Sequence, residues 1–344
     1  MPRFAALVTA LLLASAAPVL AAPKTDVVLL RDGTRLVGEL KSLARGRLTL
    51  STDAASTIYI EWDMVTQLVS NQYLRVETNL GELYFGSLIE PASKGALRVK
   101  GERKTIDLTL TDVVRIGTMS PEFSKCWSGD VSAGYSLVSA NQQSQFNFDL
   151  HVQCRFPTFL TRLSANDIKT GTSTTQSSRT AAALLEAYHL FPERWFAGGL
   201  AKVDRNDQLG IDSRFSVGAG GGRYLLQSNS QIWTAALGIL ETREHDVSSD
   251  NPTNSTEGMI ELSFDWFRYS TPEVDLSSGI TVFPSLTETG RWRGTGNVSL
   301  KWEIISNLFL RLQFLGDFDN RSGVDGQSKT DYNVSTSIGY SVNE

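Results

Sequence analysis

The chain has 344 residues with a formal net charge of −5; 41% of its residues are hydrophobic and 20% are charged. A chain of this length usually forms two or three domains, and its apolar content excludes a disordered protein. A sequence pI near 5.4 argues against nucleic-acid binding, because phosphate recognition requires a basic surface. With 2 Cys and 3 His, the composition excludes a disulfide-rich scaffold and a zinc site built on four cysteines, and we expect no cofactor.

Residues 1–21 have the pattern of a secretory signal peptide. Arg3 is the only charge before an apolar run from Phe4 to Leu20, and small or apolar residues precede a cleavage point after Ala21. The alternative is an N-terminal membrane anchor, because a run of about 17 residues is at the lower limit for spanning a bilayer. Cleavage predicts export of the remaining chain to an oxidising compartment.

Residues 24–120 contain two copies of a small β module, assigned to 24–70 and 71–120. Matching residues recur at an offset of 48, namely Gly33 and Gly81, Gly38 and Gly86, and Val65 and Val113. Short alternating runs separated by glycine turns predict about five strands in each copy. Gly38 and Gly86 fall in mid-strand, where we expect tight curvature to leave little room for a side chain. Each copy resembles the Sm-like and SH3-like small barrels.

The Sm-like resemblance implies RNA binding as one role for this region. Residues 24–115 carry nearly equal numbers of basic and acidic side chains, and the basic cluster between Lys94 and Lys104 falls on a predicted hairpin. This balance favours a solvated hairpin, so we expect no nucleic-acid partner. A periplasmic protein or a cell-wall component is the more plausible partner for residues 24–120.

Residues 126–344 alternate apolar and polar side chains in segments of 11–15 residues. In one segment, Leu308, Leu310, Leu312 and Phe314 share a face opposite a polar one. Strands of soluble sandwiches average about 5–6 residues, whereas a tilted strand needs about 9–11 to cross a bilayer. Twelve segments fit this pattern: 127–138, 143–154, 159–169, 178–190, 194–204, 212–224, 231–243, 257–268, 274–284, 290–303, 307–318 and 330–342. The predicted fold is all-β, a 12-stranded antiparallel transmembrane β-barrel preceded by a pair of small Sm-like/SH3-like barrels.

The connections between these segments alternate between short turns and longer, more polar loops. In outer-membrane barrels the short turns face the periplasm and the long loops face outside. The alternation therefore predicts a barrel in the outer membrane, with residues 24–120 in the periplasm. Aromatic residues near segment ends fit interfacial girdles: Trp127, Trp195, Trp266, Tyr269, Trp292, Trp302, Tyr332 and Tyr340.

From Ser128 onward the chain resembles the salt-induced outer membrane proteins, a family of unknown function predicted to form short-turn barrels behind a signal peptide. The resemblance rests on the strand pattern more than on fixed motifs. It implies outer-membrane lipid, lipopolysaccharide and the barrel insertion machinery as partners.

On the polar faces of the predicted strands, which would point into the barrel lumen, the charged residues include both acidic and basic side chains. Such a lining either closes the lumen with ion pairs or lines a narrow pore for small solutes, and the sequence leaves both open. The candidate lumen-lining residues are Asp149, Arg162, Glu186, Lys202, Arg214, Glu261, Asp265, Arg293, Lys301, Glu303 and Arg311.

The sequence offers little for catalysis. A 12-stranded outer-membrane phospholipase uses a Ser/His/Asn site, but neither His151, His189 nor His245 stands in the corresponding motif. The glycine run at 218–222 lies inside a strand and precedes no helix, so it predicts wall curvature and not a nucleotide loop. We therefore expect no enzyme, no catalytic residues and no metal site.

Cys126 and Cys154 fall at the same predicted end of strands one and two, and the exported compartment favours a disulfide between them. Two functions remain open. One is an outer-membrane barrel that acts in envelope integrity or stress, or as a narrow pore. The other is a periplasmic scaffold or adaptor in which the small barrels bind a partner and the large barrel is a membrane anchor.

Overall fold

The computed structural model describes residues 24–118, 126–138, 143–156, 158–172, 177–247, 251–270, 272–305, 307–321 and 329–342. The predicted signal peptide lies outside these residues. Within them the regular structure is β-strand, apart from single 3-10 turns at Trp62–Met64, Leu110–Asp112 and Pro192–Arg194. No helix of the described part is long and apolar enough to cross a membrane.

Residues 24–118 form one unit, the small-barrel domain. Its strands are β1 (Asp26–Leu30), β2 (Arg35–Ala44), β3 (Arg47–Ser51), β4 (Thr57–Glu61), β5 (Val65–Thr78), β6 (Leu83–Ile89), β7 (Ala96–Lys100), β8 (Thr105–Thr109) and β9 (Val113–Thr118). The sheet order is β4-β3-β2-β1-β5-β6-β7-β8, and β9 pairs with both β2 and β5. Strands β1, β2, β9 and β5 thereby close a four-stranded barrel, from which the other strands extend.

The structure joins the predicted pair of modules into this one unit. β5 runs through the expected boundary at 70 and 71; it pairs with β1 before the boundary and with β6 and β9 after it. β2 of the first copy also pairs with β9 of the second, with Leu43 opposite Ile116. Both copies contribute to one buried apolar core, because a copy of about 45 residues buries too little apolar surface alone.

The glycines of the repeats have the predicted roles. A Cβ at Gly38 would lie 2.7 Å from the Ser51 carbonyl oxygen, and one at Gly86 would collide with the Lys100 carbonyl oxygen. At the turns, Gly33 and Gly81 both adopt positive φ, which an L side chain rarely does. The duplication is therefore visible in backbone conformation as well as in sequence.

Twelve further strands form a closed antiparallel barrel in which β10 pairs with β21. They are β10 (Trp127–Val138), β11 (Gln143–Arg155), β12 (Phe159–Thr172), β13 (Ser178–Leu190), β14 (Trp195–Asn206), β15 (Ile211–Gln227), β16 (Gln231–Asp246), β17 (Thr253–Arg268), β18 (Val274–Pro284), β19 (Trp292–Ile305), β20 (Leu308–Asp319) and β21 (Thr330–Val342). The predicted all-β fold with a 12-stranded barrel is confirmed.

The large exposed apolar side chains of the barrel lie on its outer face. Leu237, Ile239 and Val334 are each more than half exposed, while neighbours such as Leu240 and Ser335 point inward and are buried. The inward face holds most of the buried charged residues of the barrel. This inside-out arrangement is the reverse of a soluble sandwich, in which the apolar face is buried.

Candidate functional site in the barrel lumen

The small-barrel domain covers the end of the barrel that has the short turns. Arg47 Nη1 lies 3.0 Å from Glu273 Oε1, and Arg45 pairs with Asp275. Both guanidinium groups also stack on aromatic rings of the barrel, Arg45 on Phe267 at 4.3 Å and Arg47 on Tyr269 at 4.4 Å. Paired charges stacked on rings fix the orientation of the domain on this end.

Two glycine turns of the small-barrel domain press directly on barrel turns. A Cβ at Gly46 would collide with the Asn229 carbonyl oxygen, and a Cβ at Gly81 would lie 2.7 Å from the Arg194 backbone nitrogen. Asn229 also donates its side-chain N–H to the Val113 carbonyl oxygen at 2.9 Å. Backbone therefore approaches backbone at two points where a side chain would not fit.

At the opposite end, where the loops are longer, a cluster of buried ion pairs crosses the lumen. Arg214 lies 2.6 Å from Glu244 and 3.2 Å from Asp319. Arg291 contacts the same two carboxylates at 2.9 and 3.0 Å. Beside them, Arg293 and Glu257 pair at 2.6 Å. We call these residues, Arg214, Glu244, Glu257, Arg291, Arg293 and Asp319, the loop-end cluster.

The loop-end cluster is almost completely removed from solvent. The side chains of Arg293 and Glu257 are 3% and 2% exposed, and that of Asp319 is 2% exposed. Thr242 donates to Glu257 at 2.9 Å and shares a 3.0 Å hydrogen bond with Ser216. Buried charges are tolerated only when paired and hydrogen-bonded, and these residues satisfy that condition in two adjacent groups at this end of the lumen.

Other inward side chains form one polar group and one apolar group. In the polar group, Arg311 pairs with Asp130 and donates to Ser132 at 3.2 Å, and Ser132 Oγ lies 3.3 Å from Asp149. In the apolar group, Leu240, Met259 and Phe283 pack together with Leu200. Phe283 is paired in register with Arg293, so the apolar group lies next to the loop-end cluster.

The glycine run of β15 provides the room for these inward side chains. A Cβ at Gly222 would lie 2.5 Å from the Phe196 ring, and one at Gly218 would lie 2.5 Å from Leu240 Cδ2. The glycine run, whose predicted role is curvature of the barrel wall, therefore also leaves space inside the lumen. Without side chains, this strand admits large residues from β14 and β16 into the lumen.

Two cavities lined by described residues extend into the lumen. One, of about 720 Å³, lies between the small-barrel domain and the lumen. The other, of about 280 Å³, lies higher in the lumen and is lined by Asp149, Lys202, Arg214 and Asp317, among others. Within the described residues, no group of three or more His, Cys, Asp and Glu side chains is arranged to hold a metal ion.

The structure distributes the predicted lumen residues over three levels. Arg214 and Arg293 belong to the loop-end cluster, and Asp149, Lys202 and Arg311 lie at mid-height. Arg162, Glu186, Glu261 and Asp265 lie at the covered end; Arg162 and Glu186 pair at 3.2 Å, and Arg162, Glu261 and Asp265 line the larger cavity. Lys301 and Glu303 border a separate pocket at the covered rim, where Glu303 accepts a hydrogen bond from the Asn307 backbone.

Several central residues of the lumen were absent from the sequence prediction, namely Asp130, Glu244, Glu257, Arg291 and Asp319. Glu257 has the same strand parity as the predicted Glu261 on β17, and Asp319 the same as the predicted Arg311 on β20. Extending the alternation to the strand ends would have identified Glu257 and Asp319. Their convergence on shared arginines could not be predicted, since it joins strands far apart in sequence.

Cys126 and Cys154 form a disulfide at the covered end of the barrel, with Cα atoms 4.7 Å apart. The bond joins the start of the first barrel strand to the second, next to the pairing of Trp127 with Cys154. The three histidines lie apart from one another: His151 borders the smaller cavity, His189 packs edge-to-face against Phe191, and His245 lies near the end of β16.

Comparisons with known proteins give one family and several distant structures. No curated protein matches the chain. The β domain of the Bordetella autotransporter Brka is 10% identical over 62% of this chain and 97% of its own, with a TM-score of 0.32. A NanC porin structure is 10% identical over 62% and 97% of the two chains, with a TM-score of 0.38. The family model described as "Protein of unknown function, DUF481" matches residues 131–342, more than half of the sequence. The chain belongs to the DUF481 family.

Proposed function

We propose that this chain is an outer-membrane β-barrel with a closed lumen, which anchors the small-barrel domain at the periplasmic surface as a component of the cell envelope. The observation that supports the proposal is the combination of an apolar outer wall, buried ion pairs inside the lumen near one end and a domain docked on the other.

The outer wall has the dimensions of a membrane-spanning surface. Trp292 and Trp302 lie on the outer face of β19 and are 46% and 52% exposed. They are separated by ten residues. At about 3.3 Å per residue and a strand tilt of about 40°, this spacing covers about 25 Å along the barrel axis, the usual height of the apolar band of outer-membrane barrels.

The orientation follows from the loops. The small-barrel domain docks on the end with short turns, which faces the periplasm in outer-membrane barrels. Lipopolysaccharide and other outer-membrane lipids would then contact the outer wall of the barrel. The barrel insertion machinery would place the protein in the membrane. In this proposal the chain is not an enzyme, because no histidine stands in a nucleophile motif.

Cell fractionation tests the membrane assignment. We expect the full chain in the outer-membrane fraction, with a gel band that migrates faster before boiling than after it. A soluble protein with a single, temperature-independent band would contradict the assignment.

A gated pathway for small solutes is the second candidate. The cavity of about 720 Å³ behind the small-barrel domain favours it, because release of the domain would expose charged lumen residues to the periplasm. In planar bilayers, the anchor proposal expects no steady conductance, whereas the gated pathway expects brief openings that become frequent when the Arg45 and Arg47 pairs are removed.

A further inference from the structure

The larger cavity contains a concentration of positive charge at the junction of the two domains. Arg75 and Arg115 of the small-barrel domain line it together with Arg155 at the end of β11. Two of the three guanidinium groups approach one carboxylate: Arg115 lies 3.7 Å and Arg155 3.8 Å from Glu77 Oε2. We call Arg75, Glu77, Arg115 and Arg155 the junction cluster.

Arg115 and Arg155 share the single carboxylate of Glu77. Glu77 is the one carboxylate that pairs with Arg115 and Arg155 among the described residues, and its other oxygen accepts a 3.3 Å hydrogen bond from Gln227. The side chains of Arg115 and Arg155 are only 17% and 20% exposed. Buried cations without equivalent counter-charge are costly, and a bound anion would relieve that cost.

Two donors of the junction cluster have no hydrogen-bond partner within the described part of the chain, namely Nε of Arg115 and Nε of Arg155. Burial, reinforced by the neighbouring Arg155, lowers the pKa of Arg115 to about 9, so its guanidinium stays charged at neutral pH. Burial alone would raise the pKa of Glu77, but Arg115, Arg155 and Arg75 outweigh it and hold that pKa below its usual range.

The remaining walls define the size and the opening of the site. Tyr188, Phe196 and Tyr224 form an aromatic side, with ring centroids 5.1 and 5.3 Å apart in successive pairs. At the other edge, Glu39 and Lys41 line the cavity while their side chains are 33% and 39% exposed. The cavity therefore reaches solvent beside the small-barrel domain, and its volume fits a small molecule.

We propose that this cavity binds a small solute bearing a phosphate or carboxylate group, with the oxyanion held by Arg115 and Arg155 and the rest of the molecule against the aromatic side. Guanidinium groups bind both oxyanions through paired N–H donors, which explains why arginine and not lysine occupies the positions. Arg75 adds positive charge to the same site.

Binding of inorganic phosphate, citrate and phenyl phosphate to the full chain, refolded in detergent, tests the site by titration calorimetry. We expect saturable binding at constant ionic strength, at least tenfold weaker in R115Q and R155Q. R103Q is the matched control, because Arg103 is an exposed arginine of the same domain outside the cavity, and it should bind as the unmodified protein does. Phenyl phosphate should bind more tightly than inorganic phosphate if the aromatic side takes part as proposed.

A variant of Glu77 gives an effect of opposite sign. E77Q removes the competing carboxylate and should tighten phosphate binding severalfold, and its thermal stability should rise with phosphate more steeply than that of the unmodified protein. A structural role alone would make E77Q unstable without this phosphate dependence. Gel heat-modifiability verifies that the barrel of each variant is folded, and a cooperative thermal transition of the small-barrel domain verifies that this domain is folded.

Absence of saturable binding of all three anions to the unmodified protein would overturn the site. Equal weakening by R103Q, or weaker binding by E77Q, would do the same, because either result assigns the effect to general charge or to folding. Anion binding and lumen closure are separate properties: calorimetry in detergent reports the first, and bilayer conductance reports the second.

Discussion

The small-barrel domain and the large barrel use the same antiparallel strands with opposite placement of apolar residues. In the small-barrel domain, Leu43, Leu50 and Leu97 are fully buried in a core without charged members. In the large barrel, leucines such as Leu237 face outward and the charged side chains face inward. The difference shows that alternation of apolar and polar residues only gives a sheet one apolar and one polar face. The length of the strands and the size of the barrel that they close decide which of these faces is buried.

The largest effect is expected from the charged interior. Removing Arg214 in R214M leaves Glu244 and Asp319 with less counter-charge, and breaking a buried pair typically costs about 3–5 kcal/mol. Detergent denaturation followed by gel shift measures the loss. R205M is the control. Arg205 also pairs with a carboxylate, that of Asp207, but its side chain is 41% exposed, so its loss should lower the stability by under about 1 kcal/mol. Equal losses in both variants would contradict a closed loop-end cluster.

Leucine truncation should destabilise the small-barrel domain far more than the large barrel. L43A removes a fully buried side chain and should destabilise the small-barrel domain by about 2–5 kcal/mol in chemical denaturation. L237A removes a side chain that is 64% exposed, and in detergent it should change the stability of the barrel by less than about 0.5 kcal/mol. A large loss in L237A would mean that the outer face packs against protein and not lipid.

Alanine substitutions at Gly46 and Gly95, which occupy equivalent turns of the two repeats, distinguish an effect on domain docking from an effect on folding. Gly46 and Gly95 both adopt positive φ, so alanine at either should cost the small-barrel domain about 1–2 kcal/mol. Only Gly46 contacts the barrel, since a Cβ at Gly95 meets nothing within 4 Å. Limited proteolysis should therefore show faster cleavage at the junction in G46A than in G95A. Equal cleavage rates would contradict the docked arrangement.

The smallest effect should be a weakening of domain docking at low pH, caused by protonation of Glu77. Because the folded pKa of Glu77 is lowered, its contribution to docking is complete above its ordinary pKa of 4.5 and is lost as the pH falls through the folded value. Junction proteolysis between pH 7 and pH 3 should therefore rise in acid. The rise should be smaller in E77Q, and an identical acid response in both proteins would exclude Glu77 as its source.

Alternation and turn chemistry predicted the strands well because they are local properties. The first two barrel strands were expected at 127–138 and 143–154 and occur at Trp127–Val138 and Gln143–Arg155. β15 is longer than expected, Ile211–Gln227 against 212–224, because its ladder with β16 continues through irregular register at both ends.

Contacts between strands that are far apart in sequence could not be predicted from local patterns. The shared core of the two repeats depends on the pairing of β2 with β9, across about 70 residues. The loop-end cluster depends on Arg214 meeting Asp319 across 105 positions. Parity specifies that such side chains point inward, but barrel closure and register decide which of them meet.

Planar-bilayer recording of the purified chain tests whether the lumen is closed. We expect the protein to insert, which protection of its barrel from protease would verify, and to produce no steady conductance. We also expect R214M combined with R291M to open a measurable ion current only when the Arg45 and Arg47 pairs are removed as well, because the small-barrel domain otherwise still covers the other end of the lumen. A steady current from the unmodified protein would contradict a closed lumen.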